Sequence, residues 1–224
     1  MASTALVVSD GKPGHENQST ALCRLLGMDY DVLPLQFRNR ACKVLSYLFD
    51  AAGVRWSGLL KQAALPGAFY DAVVATGSET YYGAKRLGRI LGCPTVAVLA
   101  PPGYRPSFSA VVVPEHDRFV PATNVVRVPV NLCRSDPAFF ARAAAEFAGK
   151  HTQQRPAVGF VIGGDNRVFR FSPERLELQI RALMEEVPGR EFWVTTSRRT
   201  GSEIEAVLER LPFEYRLLYS RDSY

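Results

Sequence analysis

Five short segments hold residue types that can do chemistry. In Ser9-Asp10-Gly11-Lys12-Pro13-Gly14-His15-Glu16-Asn17-Gln18, two glycines and a proline shape a turn that crowds acid, amine, imidazole and amide side chains together. An imidazole with an ordinary pKa near about 6.5 accepts a proton close to neutral pH, which makes His15 a candidate base. A capped turn whose polar residues only bond the backbone is the plainer alternative. Thr76-Gly77-Ser78-Glu79-Thr80 offers close backbone approach at Gly77 and a helix cap at Ser78. Pro114-Glu115-His116-Asp117 sets an imidazole beside two carboxylates, suited to orienting a substrate or moving a proton. Gly163-Gly164-Asp165-Asn166 brings adjacent backbone N–H groups toward phosphate oxygens. Thr195-Thr196-Ser197-Arg198-Arg199-Thr200-Gly201 adds hydroxyls and two guanidiniums that match a diphosphate. Two anion-friendly loops in succession point to a nucleotide or sugar nucleotide, although neither is a P-loop nor a Gly-x-Gly-x-x-Gly turn.

The elements that must position these loops are short apolar runs alternating with helical patterns, the signature of βαβ units and a parallel sheet. Strands are predicted over 5–8, 30–35, 72–75, 95–99, 110–113 and 125–130. Helices are predicted over 15–26, 40–52, 55–62, 79–91 and 136–148, the last capped by Ser135. A polar stretch ending at Pro156 reads as a linker, and the pattern then restarts with strands at 157–162, 192–195 and 215–219 and helices at 172–187 and 202–211. The expected organisation is a first α/β domain over 1–150, a linker over 151–156 and a shorter second domain over 157–224. Each chemical segment falls at a strand end, where open parallel sheets bind ligands.

The 224 residues are 47% hydrophobic and carry 27 Lys+Arg against 22 Asp+Glu, a net charge of +5. That excludes a disordered or fibrous chain, and the dilute basic excess argues against a nucleic-acid partner. Cys23, Cys42, Cys93 and Cys133 form no Cys-x-x-Cys pair, so no metal or redox site is expected. They read as reduced core residues of a cytosolic protein. No sequence feature calls for a cofactor. The N-terminus has no basic n-region, and no run approaches the roughly 18–20 apolar residues that span a bilayer. The expected location is cytoplasmic, with peripheral contact to the inner face of the membrane as an option. Between Phe37 and Lys61, Arg38, Arg40, Lys43, Arg55 and Lys61 face a single acid, Asp50. Aromatic and aliphatic residues interleave with them, which suits an anionic lipid surface. Ordinary amphipathic helices with their apolar sides inward are the competing reading.

Taken together, Asp10-Gly11-Lys12-Pro13-Gly14-His15-Glu16-Asn17-Gln18, Thr76-Gly77, Val113-Pro114-Glu115-His116-Asp117, Ile162-Gly163-Gly164 and Thr196-Ser197-Arg198-Arg199-Thr200 resemble the mitochondrial fission ELM family. The resemblance runs in order along essentially the whole chain. It implies a GT-B-like architecture of two Rossmann-like domains with parallel sheets, used elsewhere by metal-independent glycosyltransferases that take nucleotide-diphosphate sugars. By that analogy His15 is the general base, and Asp10, Gly11, Lys12, Pro13, Gly14, Asn17, Gln18, Thr76, Gly77, Ser78, His116 and Asp117 surround the acceptor. Gly163, Gly164, Asp165, Thr196, Ser197, Arg198, Arg199 and Thr200 then hold the nucleotide. The acceptor expected is lipid-linked or an envelope glycan, and no metal is required. Family members usually continue well past 221–224, so the resemblance implies a C-terminal truncation and an incomplete second domain. Epimerisation of a nucleotide sugar, or a non-catalytic scaffold on a membrane surface, are the alternatives carried forward.

Overall fold

Six apolar runs pair side by side, all parallel, into one sheet. They are β1 (Thr4–Ser9), β2 (Asp29–Pro34), β3 (Ala72–Thr76), β4 (Thr95–Val98), β5 (Ala110–Pro114) and β6 (Val125–Val128), in the order β2-β1-β3-β4-β5-β6. The computed structural model describes residues 3–222 except 62–64, 66–68, 135 and 167. Ser135, the expected helix cap, therefore lies outside the described residues. β1 is apolar at every central position because both of its faces are covered. Leu6 and Val8 join Val73, Tyr81, Tyr82 and Leu87 on one side, while Ala5 and Val7 join Cys23 and Val74 on the other. Helices α2 (Arg40–Ala51) and α3 (Tyr81–Leu91) pack on the first face, and α1 (Pro13–Leu25) on the second. Among the four cysteines, only Cys23 is buried; Cys133 is exposed, which corrects the expectation that all four belong to the core.

Two local expectations change. The helix predicted over 55–62 is a single 3-10 turn at Ser57–Leu59, with Gln62 outside the described residues. The chain there instead runs beside residues 36–38. The Arg38 N–H donates to Leu59 O at 3.0 Å and the Lys61 N–H to Gln36 O at 2.9 Å, in an antiparallel bridge between Phe37 and Leu60. Those carbonyls and N–H groups cannot also serve a helix. Likewise, α3 starts at Tyr81 with Thr80 in the cap position, so Ser78 sits in the preceding turn rather than capping.

The chain divides into two compact units, 1–136 and 137–224. Helix α4 (Pro137–Lys150), expected to close the first unit, falls in the second, because its Phe147 ring packs 5.1 Å from Trp193 and, edge to face, 4.9 Å from Tyr215. Residues 151–156 are likewise tied down. His151 packs 5.2 Å from the Trp193 ring, and buried Glu191 accepts the Arg155 N–H at 3.0 Å. The second sheet is β7 (Ala157–Val161), β8 (Glu191–Thr195) and β9 (Tyr215–Leu217), parallel and in sequence order. Helix α5 (Pro173–Glu186), capped by Ser172, presents Leu176, Ile180 and Met184 at helical spacing to Val194. Helix α6 (Ser202–Arg210) adds Ile204, Val207 and Leu208 to the same core. Two parallel-sheet α/β units in one chain match the two-unit composition that the resemblance implied.

Candidate functional site

In the strand order 2-1-3, the chain reverses its direction of winding between β1 and β3, and such a switch point opens a crevice at the carboxyl strand ends. The loops that meet there are those of His15 and Gly77. Gly11, at φ +76°, turns the chain out of β1 and Pro13 starts α1. This brings the His15 ring back over Asp10, with Nδ1 2.9 Å from Asp10 Oδ2. Lys12 Nζ donates to the same oxygen at 2.9 Å, and the Lys12 N–H to Oδ1 at 3.1 Å. The Asp10 side chain is only 3% exposed. Burial pushes its carboxyl up, but the bonds from Lys12 and His15 outweigh that and leave its pKa below the ordinary carboxylate value. An ionised carboxylate can only accept, so the His15 proton sits on Nδ1 and the Nε2 lone pair is free for a substrate proton.

The neighbouring loop holds this ring in place. Gly77 takes φ +94°, and a Cβ there would lie 2.4 Å from His15 Nδ1. Only glycine lets the ring approach the turn this closely. Thr76 is buried, with its hydroxyl 2.6 Å from Ser19 Oγ, so it braces α1 against β3 instead of presenting an oxygen. Ser9 Oγ donates to Glu16 at 2.6 Å and ties the start of α1 to the end of β1. One turn beyond His15, Gln18 Oε1 is buried with no hydrogen-bond partner among the described residues. Asn17, Gly11, Lys12 and Gly14 are exposed around the pair.

A residue of the site escaped sequence reasoning. Lys43, expected on a basic surface, turns inward from α2. Its ammonium donates to the carbonyl of Ser78 and to Tyr104 Oη at 3.1 Å, lies 3.8 Å from Glu79, and rests 5.1 Å from the centres of the Phe37, Tyr47 and Tyr104 rings. Burial lowers its pKa to about 8, with Glu79 pulling the other way. Asp10, Phe37, Asn39, Arg40, Lys43 and Glu79 together line a cleft of about 360 Å³. Ser46 and Asp50 follow Lys43 on the same side of α2, and that i, i+3, i+7 polar series is the sign that could have revealed an inward polar face.

His116 and Asp117 do not join this group. They follow β5, three strand steps from β1, and their side chains are exposed and 4.0 Å apart. At about 4.8 Å per step they are beyond hydrogen-bond reach of His15.

In the second unit, the two glycine and arginine loops interlock. Thr200 Oγ1 donates to Gly163 O at 2.7 Å and accepts the Ser197 N–H at 2.9 Å. A Cβ on Gly164 would overlap the Arg199 carbonyl at 1.9 Å. Arg198 and Arg199 are exposed at this junction. Asp165 is used internally, its carboxylate accepting the Phe171 N–H at 3.0 Å. Thr196 is buried, accepting the Tyr219 N–H at 2.8 Å and donating to Glu205 at 3.3 Å. Ser197 Oγ likewise accepts the Arg199 N–H at 3.3 Å, whereas Gly163, Arg198 and Arg199 are exposed.

These features define a protein of two tandem Rossmann-like units, the first with a carboxylate-held imidazole at its sheet's switch point. The chain belongs to the mitochondrial fission ELM1 family, which it matches over residues 13–219. No curated protein sequence matches it. Among solved structures it is similar to the UDP-GlcNAc 2-epimerase from Neisseria meningitidis bound to UDP-GlcNAc, at 12% identity and a TM-score of 0.46, over 100% of this chain and 73% of that one. It is also similar to the spinosyn rhamnosyltransferase SpnG, at 16% identity and a TM-score of 0.39, over 96% and 70%. Among the described residues, no helix is long and apolar enough to cross a membrane.

Proposed function

We propose that the protein transfers a sugar from a nucleotide-diphosphate donor to a hydroxyl of a cell-envelope acceptor, with His15 as general base. The observation that carries this reading is the Asp10–His15 contact of 2.9 Å, which fixes the imidazole tautomer and frees Nε2. In the reaction, Nε2 takes the acceptor's hydroxyl proton as that oxygen bonds to the anomeric carbon. The bond from that carbon to the diphosphate oxygen breaks, and the nucleoside diphosphate leaves with the electron pair. Such a base contributes about 10²–10⁴-fold. Arg198 and Arg199, with the N–H groups of the Gly163-Gly164 turn, suit the charge that builds on the leaving diphosphate. In this reading the first unit holds the acceptor and the base, and the second holds the nucleotide.

Titration with uridine, guanosine and cytidine diphosphate sugars is the test. Saturable binding of one of them, weakened by Arg198→Ala, is expected, with transfer lost in His15→Ala. Binding of none of the three would sink the proposal. Conversion of the donor's own stereocentre with no acceptor present would turn the assignment to epimerisation.

A second role, as a peripheral partner of anionic membranes, is supported by α2. Its outward side carries Arg40, Ala41, Val44, Leu48 and Ala51, while its acid, Asp50, is fully buried. An exposed apolar face with only positive charge at its edge suits a headgroup boundary. Flotation with phosphatidylglycerol vesicles is expected to carry the protein along, less so as salt rises, and not in Val44→Glu/Leu48→Glu. Equal flotation with neutral vesicles would contradict it.

A further inference from the structure

A separate cleft of about 390 Å³ opens between the edge strand β2, the outer half of α3 and the segment around Leu60. It is lined by Leu33, Leu87 and Ile90 and also by three cations, Arg38, Lys61 and Arg86, with no carboxylate among its lining residues. The size falls within the roughly 300–1,000 Å³ range of small-molecule sites. What singles it out is unbalanced charge. Arg38 Nε donates to Leu60 O at 3.3 Å and Lys61 Nζ to Gln36 Oε1 at 2.9 Å, both neutral acceptors. Among the described residues, none of the three cations has a carboxylate partner. Ile90 remains 56% exposed, so apolar surface faces water beside charges that repel one another. A ligand with one anionic end and a hydrocarbon body relieves both costs at once, by burying the aliphatic wall and meeting the cations.

We infer that this cleft binds a single-chain anionic amphiphile, its phosphate or carboxylate held by Arg38, Lys61 and Arg86 and its chain lying along Leu33, Leu87 and Ile90. The cleft shares Leu35 with the one beside Asp10 and Lys43. The inference goes beyond sugar transfer and does not rest on it, because a chain inactive in transfer would still bind such a ligand.

The test is displacement of fluorescent dansyl-undecanoic acid from the full chain, below the critical micelle concentration of every competitor. Decyl phosphate or decanoate is expected to displace the probe saturably, and which is the stronger distinguishes a phosphate from a carboxylate head. Decyltrimethylammonium and decyl maltoside, with the same chain but cationic and neutral heads, are expected to compete at least about tenfold more weakly. Lys61→Gln/Arg86→Gln is expected to lose about tenfold in affinity, whereas Lys61→Arg/Arg86→Lys retains it. Unchanged thermal unfolding of both variants shows that the fold is kept. Equal competition by the neutral or cationic amphiphile overturns the inference, as does unchanged affinity in the double glutamine variant. Displacement by inorganic phosphate alone would reduce the cleft to a bare anion site, and no displacement by either anionic chain also rejects it.

Discussion

At the scale of single residues, the site depends on which nitrogen of His15 carries a proton. Asp10 sets that, and its depressed pKa means that it still does so in mildly acidic solution. Asp10→Asn keeps the shape but can no longer demand an Nδ1 proton, so the ring is free to present the wrong tautomer. Turnover is expected to fall by about 10³–10⁴-fold with little change in substrate affinity. The same substitution has a second readout. A carboxylate whose folded pKa is lowered stabilises the fold above its unfolded pKa of about 3.9, and that contribution disappears as pH falls through the folded value. Urea midpoints measured from pH 7 to pH 3 should therefore drop less steeply in Asp10→Asn than in the natural chain. That Asp10, Lys12 and His15 gather in one loop at a strand end was legible in the sequence, where such residues beside Gly and Pro exceed what a turn requires. Lys43 was legible only in part: its place in the i, i+3, i+7 polar series of α2 hints at an inward side, but Tyr104, whose hydroxyl it meets, lies 61 residues away.

At the scale of elements, α2 departs from the usual division of faces. Its inner side sets polar groups among Leu45, Tyr47 and Phe49, with Asp50 accepting Lys85 Nζ at 2.9 Å, Arg55 at 2.9 Å and the Arg105 N–H at 2.8 Å. Burial depresses the Lys85 amine, and its bond to Asp50 pulls it back up. The cluster fixes how α2 sits on α3, so its weight is tested by removing the shared acid. Asp50→Ala leaves buried Lys85 and the partly buried Arg55 without their shared counter-charge, and a loss of about 3–5 kcal/mol is expected in urea unfolding. A loss under about 1 kcal/mol would mean that water reaches the cluster. Strand and helix positions in this unit were readable to within a residue or two because continuous Val and Ala runs mark strands covered on both faces. The 55–62 segment was misread because its pairing with residues 36–38 is a contact across sequence, which periodicity cannot see.

At the scale of the whole molecule, two cores built from different residues make two folding units, each with its own tryptophan, Trp56 in the first and Trp193 in the second. Two transitions are expected in calorimetry, outside simple two-state behaviour. In Trp56→Phe, the remaining indole reports the second unit alone. A nucleoside diphosphate at about 100 times its Kd should stabilise that unit by about 2.7 kcal/mol and leave the first transition where it was. A shift of the first transition alone would move the nucleotide to the other unit. The sequence placed the restart of the αβ pattern correctly but assigned α4 to the wrong side of it. A helix written between two sheets carries no mark of which one it covers, and here the packing of Phe147 against Trp193 and Tyr215 decides.

The interlocked loops of the second unit have a consequence for anyone recombining this chain with a relative. Gly164 is pressed against the backbone of Arg199, and Thr200 reaches back to the carbonyl of Gly163. A crossover anywhere between those positions would pair one parent's glycine turn with the other's arginine turn, and a single Cβ at the seam would force them apart. Residues 163–200 must therefore be inherited as one block, and a graft of the arginine loop by itself would carry the charge without the geometry that presents it.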